Sequence, residues 1–522
     1  MAHPASERGC IMMPWIALCS WPILSVVFYS RFTLPVALFA TLLGGYLLLP
    51  NKTTWDLPLL PAFNKRTIPI LAAIFLTMIY ARHPSKTTLV LEGWVPRDPV
   101  IRVLLAVLIL GIFLSVFANS DPLYFGSRFV PGVTLYDAFS QTMVFSLIIA
   151  PLFLARKVLA SPQALHVLLL AFAVSGLIYT LPALYEVRMS PQLHATIYGV
   201  FPHSFAQHMR GGGFRPVVFL DHGLSLAIYF TFTFIAVCAL YRISKGDNRI
   251  KWLFAVAWMA VTIVLVKSLG VLMICAMLVP LVLFCSVRVQ LLAAFCIAIM
   301  FISYPALRSA QLIPVQQIMS FAETVNPARA ASFKVRVDNE EALLERANER
   351  ALFGWGGWGR NRIYDEYGRD VTISDGQWII VLGDGGWVRY LSLYGLLTWP
   401  IIRMFLYHRR EVDPVLAALS LILCAKLLDM LPNAGWSVPP WLIAGAILGR
   451  MELLENRQAK AGAHLRPEEP PPTEVSTGPR YARSFAKTSP PAKAQASAAK
   501  NTRYSRHSQS GEEVTLGPEY RK

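Results

Sequence analysis

The stretch SFKVRVDNEEALLERANERALFGWGGWGRNRIYDEYGRDVTISDGQWI, residues 332–379, belongs to a long polar segment, residues 306–378. The rest of the chain consists mostly of apolar runs of helix length. Loops of this length without a role are uncommon in compact proteins. The segment concentrates Arg, Asp, Glu, Gly and Trp. We therefore expect it to carry a site for a charged, sugar-like or phosphate-bearing ligand.

The apolar runs on both sides of this segment decide the fold class. The chain is 55% hydrophobic and only 15% charged, which is far from a soluble globular average. A membrane span needs about 20 mostly apolar residues, and lipid offers no partner to a free backbone group. The sequence predicts an all-α polytopic integral membrane protein with about 12 or 13 transmembrane helices. The candidate spans lie near residues 11–29, 33–50, 67–82, 100–118, 138–155, 164–184, 217–241, 251–268, 270–286, 289–305, 380–407, 413–431 and 437–450.

Two regions follow from composition. Residues 1–456 form the membrane domain, with 306–378 as its long loop. Residues 457–522 are rich in Pro, Ala, Ser and Lys and carry twelve Lys/Arg against six Asp/Glu. Such a segment buries too little apolar surface to offset the entropy of ordering, so a disordered, basic tail is predicted.

The net charge of +17 indicates topology rather than nucleic-acid binding. Basic residues accumulate on the cytoplasmic side of membrane proteins. The basic stretches 156–163, 241–251 and 408–410 and the tail share one side if the spans alternate. That side is predicted to be cytoplasmic, and 306–378 then faces outward. The side of the N-terminus stays open, because Lys52, Lys65 and Arg66 do not fit this pattern.

One helix is predicted inside the long loop. Asp338 followed by Glu341 has the spacing of a capping box, so the helix is expected to begin there. Gly354 is suited to its C-terminal end.

Arginine residues gather in the two outward segments. Arg210 and Arg215 flank three glycines, while Arg336 and Arg360 lie in the long loop. The guanidinium fork matches phosphate oxygens, so these residues are candidates for binding a pyrophosphate. Solvated surface charge and salt bridges with nearby glutamates are the alternative.

Ionisable residues also occur in predicted spans, all near the outward ends: Asp221, His222, Lys267, Lys426 and Asp429. Charges inside a membrane usually face a cavity or each other. An outward-opening polar cavity would explain them together. Mutual neutralisation of Lys426 and Asp429 is the alternative for that pair.

Asp375 precedes the eleventh candidate span. A carboxylate beside apolar surface can serve as a general base. Ser374 or Asp375 could instead cap the helix that follows, and the two roles are compatible. Asp384 is interpreted as a turn residue. Trp355, Trp358 and Trp378 are candidates for stacking on sugars, although Trp is also common at membrane interfaces.

Metal and nucleotide sites are not indicated. The sequence has no HExxH motif and no His cluster typical of a metal site, and GWGGWG lacks the strand and the GK[ST] of a phosphate-binding loop. Seven cysteines show no CxxC pair, and none lies in the long loop. No metal and no cofactor are expected.

Three segments resemble the O-antigen ligase and surface polysaccharide polymerase superfamily. They are GFRPVVFLDHGLSLAIYF (213–230), VRVDNEEALLERANERALFGWGGWGR (335–360) and SDGQWIIVLGDGGWVRYLSLYGLL (374–397). The second is similar to the family's arginine, helix and glycine motif, and the third to its H-N…E-x-G-x-x-G segment. With the layout of spans, the resemblance covers about residues 100–450. Asp375 stands where many members have His, and Ala351 or Leu352 where they have Pro.

The resemblance implies a metal-independent, membrane-embedded glycosyltransferase of the bacterial inner membrane. It would take glycan from a polyprenyl-pyrophosphate carrier at the outer face and pass it to an acceptor hydroxyl, beside other polysaccharide-assembly proteins. Arg215 and Arg336 would hold the pyrophosphate. Asp375 would be the base, with Asp221 or His222 as alternatives. A polymerase is expected. The alternatives are a ligase onto lipid or protein, and a transporter or flippase for a lipid-linked or anionic solute.

Overall fold

The structure, a computed structural model, describes residues 4–57, 61–82, 89–210, 212–325 and 327–464. The tail predicted to be disordered lies outside the described residues from 465 onward. Residues 457–464 continue the last helix, so the boundary predicted after residue 456 falls inside that helix.

Each of the thirteen predicted apolar runs overlaps a helix. In chain order the helices are α1 (Pro4–Arg31), α2 (Leu34–Leu48), α3 (Thr67–Tyr80), α4 (Pro99–Ala118), α5 (Leu135–Val158), α6 (Pro162–Met189), α7 (Leu193–Tyr198), α8 (Gly223–Ile243), α9 (Asp247–Leu265), α10 (Leu269–Phe284), α11 (Val287–Ser309), α12 (Val315–Val325), α13 (Pro327–Asn348), α14 (Gln377–His408), α15 (Pro414–Asp429) and α16 (Val438–His464). Of these, α7, α12 and α13 lie between the apolar runs.

Two small antiparallel hairpins complete the described elements. Strands β1 (Leu123–Phe125) and β2 (Arg128–Val130) form the first, between α4 and α5. Strands β3 (Met209–Arg210) and β4 (Gly213–Phe214) form the second, after a short 3-10 helix at Phe205–His208.

Seven described helices are long and apolar enough to cross a membrane: α1 from Met12, α4, α5, α6, α8, α9 and α11. Three shorter helices, α2, α3 and α10, are also apolar. Many large apolar side chains on these helices stay exposed, such as Phe117 on α4 and Phe75 on α3. Exposed apolar side chains are stable in contact with lipid but unfavourable in contact with water. The prediction of an all-α polytopic membrane protein is confirmed.

Short connections make neighbouring helices antiparallel and so create two ends of the bundle. We call one end the loop face; its connections are residues 49–66, 119–134, 190–222, 266–268, 310–376 and 430–437. We call the other end the tail face; its connections are residues 32–33, 81–98, 159–161, 244–246, 285–286 and 409–413, and α16 runs toward it. Contacts tie the segments of each face together. Lys65 donates to the Phe219 carbonyl on the loop face, and Arg403 pairs with Asp98 on the tail face.

Helix α8 lies at the centre of the bundle, and 89% of the residues in its most apolar stretch are buried. It packs against α6, α9, α10 and α15, while α16 packs on α5 and α14 packs on α4 and α11. Several helices begin at side-chain caps. Asp98 accepts hydrogen bonds from the backbone of Val100 and Ile101, and Thr134 forms a capping box with Asp137.

The helix of the long loop differs from its prediction. It begins at Pro327, and Asp338 lies within it rather than at its start. Proline is favoured in the first turn, and the residues that follow continue the helix through Asp338. A capping-box spacing therefore does not start a helix when a helix already precedes it.

The start of α14 also differs from its prediction. Its N-cap is Gly376, and no side chain caps the helix there, so neither Ser374 nor Asp375 has the capping role. Asp384 lies inside α14, two residues before a kink at Gly386, where φ is +63°. Gly354, also at positive φ, forms a turn that packs against this kink, six residues after α13 ends at Asn348 rather than at the end of that helix as predicted.

Candidate functional site on the loop face

The structure brings two predicted catalytic residues, Arg336 and Asp375, into direct contact. Arg336 Nε lies 3.1 Å from Asp375 Oδ2, and the two side chains are 45% and 39% exposed. Arg336 projects from α13, and Asp375 lies two residues before α14. Asp375 is therefore partly solvated and paired rather than surrounded by apolar surface. The pair places a phosphate-binding group beside a potential base, at a position open to solvent.

The Arg336 side of this pair is held by an anchor between α13 and α11. Glu340, one helical turn after Arg336, accepts hydrogen bonds from Tyr304 Oη at 3.1 Å and Arg308 Nε at 3.3 Å. Burial raises the pKa of the Glu340 carboxyl, although Arg308 and Tyr304 counteract this. Tyr304 also contacts the ring of Trp378 edge-on. This anchor fixes α13 against the membrane helices.

The Asp375 side is held by the turn between α15 and α16. The Gln377 backbone NH donates to the carbonyls of Met430 and Asn433. The Gln377 side-chain oxygen accepts from the backbone NH of Gly435 at 2.7 Å. Gly376 has no space for a side chain, since an added Cβ would lie 2.3 Å from the Leu431 carbonyl oxygen. Close backbone packing therefore sets where Asp375 stands.

The same turn lines a cavity of about 210 Å³ on the loop face. Both polar and apolar residues line it. The polar lining comes from Asn51, Asn64, Lys65, Arg66, Asp221, Ser225, Lys426 and Ser437. The apolar lining includes Ile70, Val144, Leu147, Ile148 and Ile228. The polar cavity expected from the sequence thus has a counterpart on the loop face. Asp221 and Lys426 are among its lining residues, whereas His222, Lys267 and Asp429 are not.

Lys65 and Arg66 bring positive charge to this cavity. Lys65 is buried, donates to the Phe219 carbonyl at 2.8 Å, and lies 5.9 Å from the Tyr46 ring centre. Burial lowers the pKa of Lys65 to about 7. Arg66 pairs with Asp221 at 3.6 Å, with both side chains about half exposed. Asp221, a predicted substrate-binding residue, therefore neutralises Arg66, whose location the sequence analysis had left open.

Lys426 and Asp429 neutralise each other, as the simpler interpretation of their spacing predicts. Lys426 Nζ lies 2.8 Å from Asp429 Oδ2, and both side chains are buried. Asp429 Oδ1 accepts from Asn433 Nδ2 at 2.8 Å. The pair joins α15 to the turn that holds Gln377, so the cavity and Asp375 share one structural support.

Arg215 and His222 lie together at the start of α8. The Arg215 guanidinium is buried and donates to the Lys267 carbonyl at 3.3 Å. His222 caps α8 by accepting from the Leu224 NH at 3.0 Å, and its ring lies 4.7 Å from that of His203 and 4.8 Å from that of His208. Burial, followed by the interactions with His208, His203 and Arg215, lowers the pKa of His222 to about 4. The structure thus places Arg215 beside histidines, and Arg215 takes no part in the contact between Arg336 and Asp375.

Arg360 and Trp355 are engaged in packing. Trp355 lies between the guanidinium groups of Arg346 and Arg350, at 3.3 and 4.4 Å from its ring centre. Arg360 is buried and donates to the carbonyls of Trp355 and Pro131. Asp121 pairs with Arg350 and Arg360, and the hydrogen bond from Arg350 lowers the Asp121 pKa. Most of the arginines in this part of the loop therefore hold its fold.

The remaining predicted residues fall in different environments. Trp378 is fully buried, whereas Trp358 is 65% exposed with the Arg362 guanidinium 5.1 Å from its ring centre. Only Trp358 of the three tryptophans therefore presents its ring to solvent. Arg210 belongs to β3, and its side chain lies outside the described part of the chain.

Within the part of the chain that the structure describes, no group of three or more His, Cys, Asp or Glu side chains is arranged to hold a metal ion.

Lys65 and Arg66 are the site residues that sequence reasoning missed. The sequence did contain a sign of their importance, because these two residues do not fit the pattern of basic residues on the cytoplasmic side. If the loop face lies outside, a basic pair at the start of a short helix there departs from the positive-inside rule, and such a departure indicates a ligand or a buried partner.

Three comparisons with known proteins were made: with protein-family models, with curated sequences and with solved structures. None of them gives a match to this chain.

Proposed function

We propose that this protein is a membrane-embedded glycosyltransferase that transfers glycan from a lipid pyrophosphate to an acceptor hydroxyl at its loop face. The observation that carries the proposal is the half-exposed pair of Arg336 and Asp375. Its support adjoins a cavity with cationic and apolar walls. A phosphate-bearing lipid and a hydroxyl acceptor need these three features: a guanidinium, a carboxylate and an amphipathic cavity.

The pair can divide the chemistry between its members. When a pyrophosphate arrives, the Arg336 guanidinium turns from Asp375 to the phosphate oxygens and stabilises the charge on the leaving group. Asp375 is then released to take the proton of the acceptor hydroxyl. That oxygen attacks the anomeric carbon, the bond to the pyrophosphate breaks, and the configuration inverts. By resemblance to O-antigen ligases and polymerases, Arg215 is a second pyrophosphate-binding residue.

We place the loop face outside and the tail face in the cytoplasm of a bacterial inner membrane. Basic side chains at the ends of the tail-face connections support this orientation: Arg156, Lys157, Arg242, Lys245, Arg288, Arg409 and Arg410. With thirteen spans, the N-terminus would lie outside. A cysteine at Tyr367, which is 65% exposed in the long loop, should then react with an impermeant thiol reagent in intact spheroplasts, and one at Ser497 should not. Equal labelling would contradict the orientation.

Asp375→Asn tests the base. The amide keeps the size of the side chain but cannot take a proton, so transfer in proteoliposomes with lipid-linked glycan should fall by about 10²-fold or more. Asp338→Asn is the matched control, because Asp338 is an exposed carboxylate on α13 of the same loop. Both variants should keep the melting temperature of the wild type. Full activity in Asp375→Asn would exclude Asp375 as the base.

The acceptor decides between polymerase and ligase. Elongation of lipid-linked glycan by the purified protein alone supports the polymerase. Transfer only to an added lipid or protein acceptor supports the ligase. Movement of labelled lipid-linked glycan across the bilayer without any new glycosidic bond would support a flippase instead.

A further inference from the structure

A mostly apolar groove between α3 and α5 lies next to the cavity on the loop face, on the side toward the tail face. A second cavity, of about 260 Å³, is lined by Ile74, Trp94, Val95, Ser146, Ala150, Phe153 and Leu154. Ile70 lines the first cavity and Ile74 the second, one helical turn apart on α3. On α5, Leu147 lines the first, and Ala150 and Leu154 line the second. This spacing of three and four residues puts them on one helix face.

The groove lies on the lipid-exposed side of the bundle. On α3, Phe75 is 65% exposed, and on α5, Val144 is 42% exposed. Both helices are apolar enough to contact the hydrocarbon region. Apart from Ser146, the side chains that line the groove are mostly apolar, which suits a hydrocarbon chain in contact with the bilayer.

The charged side chains in the cavity on the loop face determine which kind of headgroup that cavity favours. The cavity on the loop face contains three cationic side chains, Lys65, Arg66 and Lys426. Asp221 faces Arg66, and Asp429 is paired with Lys426. Lys65 donates to a carbonyl and lies over an aromatic ring, and Asp221 acts electrostatically on both Lys65 and Arg66. Two carboxylates therefore face three basic side chains, and buried charge is unfavourable without a partner of opposite sign. With Lys65 protonated, the cavity favours an anion.

We propose that the cavity and the groove together form a binding site for one membrane lipid with a phosphate-bearing headgroup. The phosphate lies against Lys65 and Arg66, and the hydrocarbon chain lies between α3 and α5. This inference rests on the proposed function in that the transferase would use the same cavity, but it requires neither Arg336 nor Asp375, so lipid binding and glycan transfer can fail separately.

Lipid retention by the purified protein tests this inference. Native mass spectrometry counts the lipids that remain bound after exchange into detergent with phosphatidylglycerol, polyprenyl phosphate or uncharged polyprenol. Wild type should retain one phosphate-bearing lipid with at least about 10-fold higher affinity than polyprenol, the scale of a hydrogen bond to a charged group. The first two lipids separate a glycerophospholipid occupant from an isoprenoid one, and no acceptor or turnover is involved.

Variants separate the headgroup from the chain. Lys65→Gln with Arg66→Gln should reduce retention about 10-fold or more, whereas Arg369→Gln, an exposed cation on the same face, should not. Ser146→Trp should fill the groove and reduce retention, whereas Val103→Trp on lipid-exposed α4 should not. Unchanged retention in the double variant, or equal retention of polyprenol, would overturn the headgroup site. Unchanged retention in Ser146→Trp would overturn the groove.

Discussion

Two arginine–carboxylate pairs lie at opposite faces of the bundle, and their burial differs. On the tail face, Arg156 and Glu452 are each 1% exposed. Arg156 also donates to the Gly93 carbonyl, and Glu452 accepts from the Arg97 NH. On the loop face, Arg336 and Asp375 are 45% and 39% exposed.

The difference indicates different roles. A buried pair whose groups have further hydrogen bonds holds its helices in register, since separating the charges would leave them desolvated. An exposed pair is worth at most about 1 kcal/mol, so a phosphate or a hydroxyl can compete for either member. The same two chemical groups thus lock α5 to α16 on one face and remain available to a ligand on the other.

The largest effect is expected from Glu452→Gln. The substitution leaves the buried Arg156 without a counter-charge and should cost about 3–5 kcal/mol of stability. It is measured as a lower melting temperature and a lower yield of folded protein. Arg156→Met combined with Glu452→Leu removes both charges and should recover most of the loss. A stable Glu452→Gln protein would remove the contrast between the two pairs.

Gly386→Ala tests the kink that joins the loop to α14. Gly386 has φ of +63°, and an added Cβ would lie 2.3 Å from the Leu352 carbonyl oxygen. Strain of this kind costs about 1–3 kcal/mol, so the melting temperature should fall. Gly270→Ala is the control, because its Cβ would meet nothing within 4 Å. If both variants melt alike, the kink does not position the loop.

Arg336→Lys tests the loop-face pair directly. Lysine keeps the charge but loses the planar fork, so transfer should fall by about 10-fold or more. Stability should hardly change, since the pair is exposed. Arg369→Lys, which alters an exposed arginine paired with Asp365, serves as the control. Wild-type glycan chain length in Arg336→Lys would assign Arg336 a structural role.

The smallest effect is expected at His222. Its pKa is lowered from 6.5 to about 4 in the folded protein, through burial first and then through His208, His203 and Arg215. As the pH falls from 6.5 toward 4, the unfolded chain takes a proton that the folded chain does not, so stability decreases. His222→Asn keeps a capping side chain and should flatten this decrease by a few degrees of melting temperature at most. An unchanged pH profile would show that His222 does not cause it.

Much of the fold could be predicted, because apolar runs long enough to span a bilayer have helix as their only stable form. All thirteen runs overlap helices, and the spacing of Lys426 and Asp429 indicated their ion pair. Local signals failed where a neighbouring segment overrode them. Asp338 has a capping spacing but lies inside α13, and Asp375 precedes α14 without capping it, because Gly376 takes that position.

For the site, residue type indicated chemistry but not partners. Arg336, Arg350 and Arg360 look alike in the sequence, yet Arg360 is buried against carbonyl groups and Arg350 pairs with Asp121. Arg336 contacts Asp375, 39 residues away in the chain. Trp355 and Trp358 are three residues apart, and only Trp358 is exposed.

By itself, the sequence determined the membrane class, the positions of the apolar helices and the polar segment that lies between two of them. Those properties depend on the transfer of local runs from water to lipid, and each run contains that information. The tertiary structure alone decided that Arg66 meets Asp221, that α3 and α5 border a groove, and that Arg336 remains accessible beside Asp375. These contacts depend on how distant helices pack, and packing is a property of the whole chain.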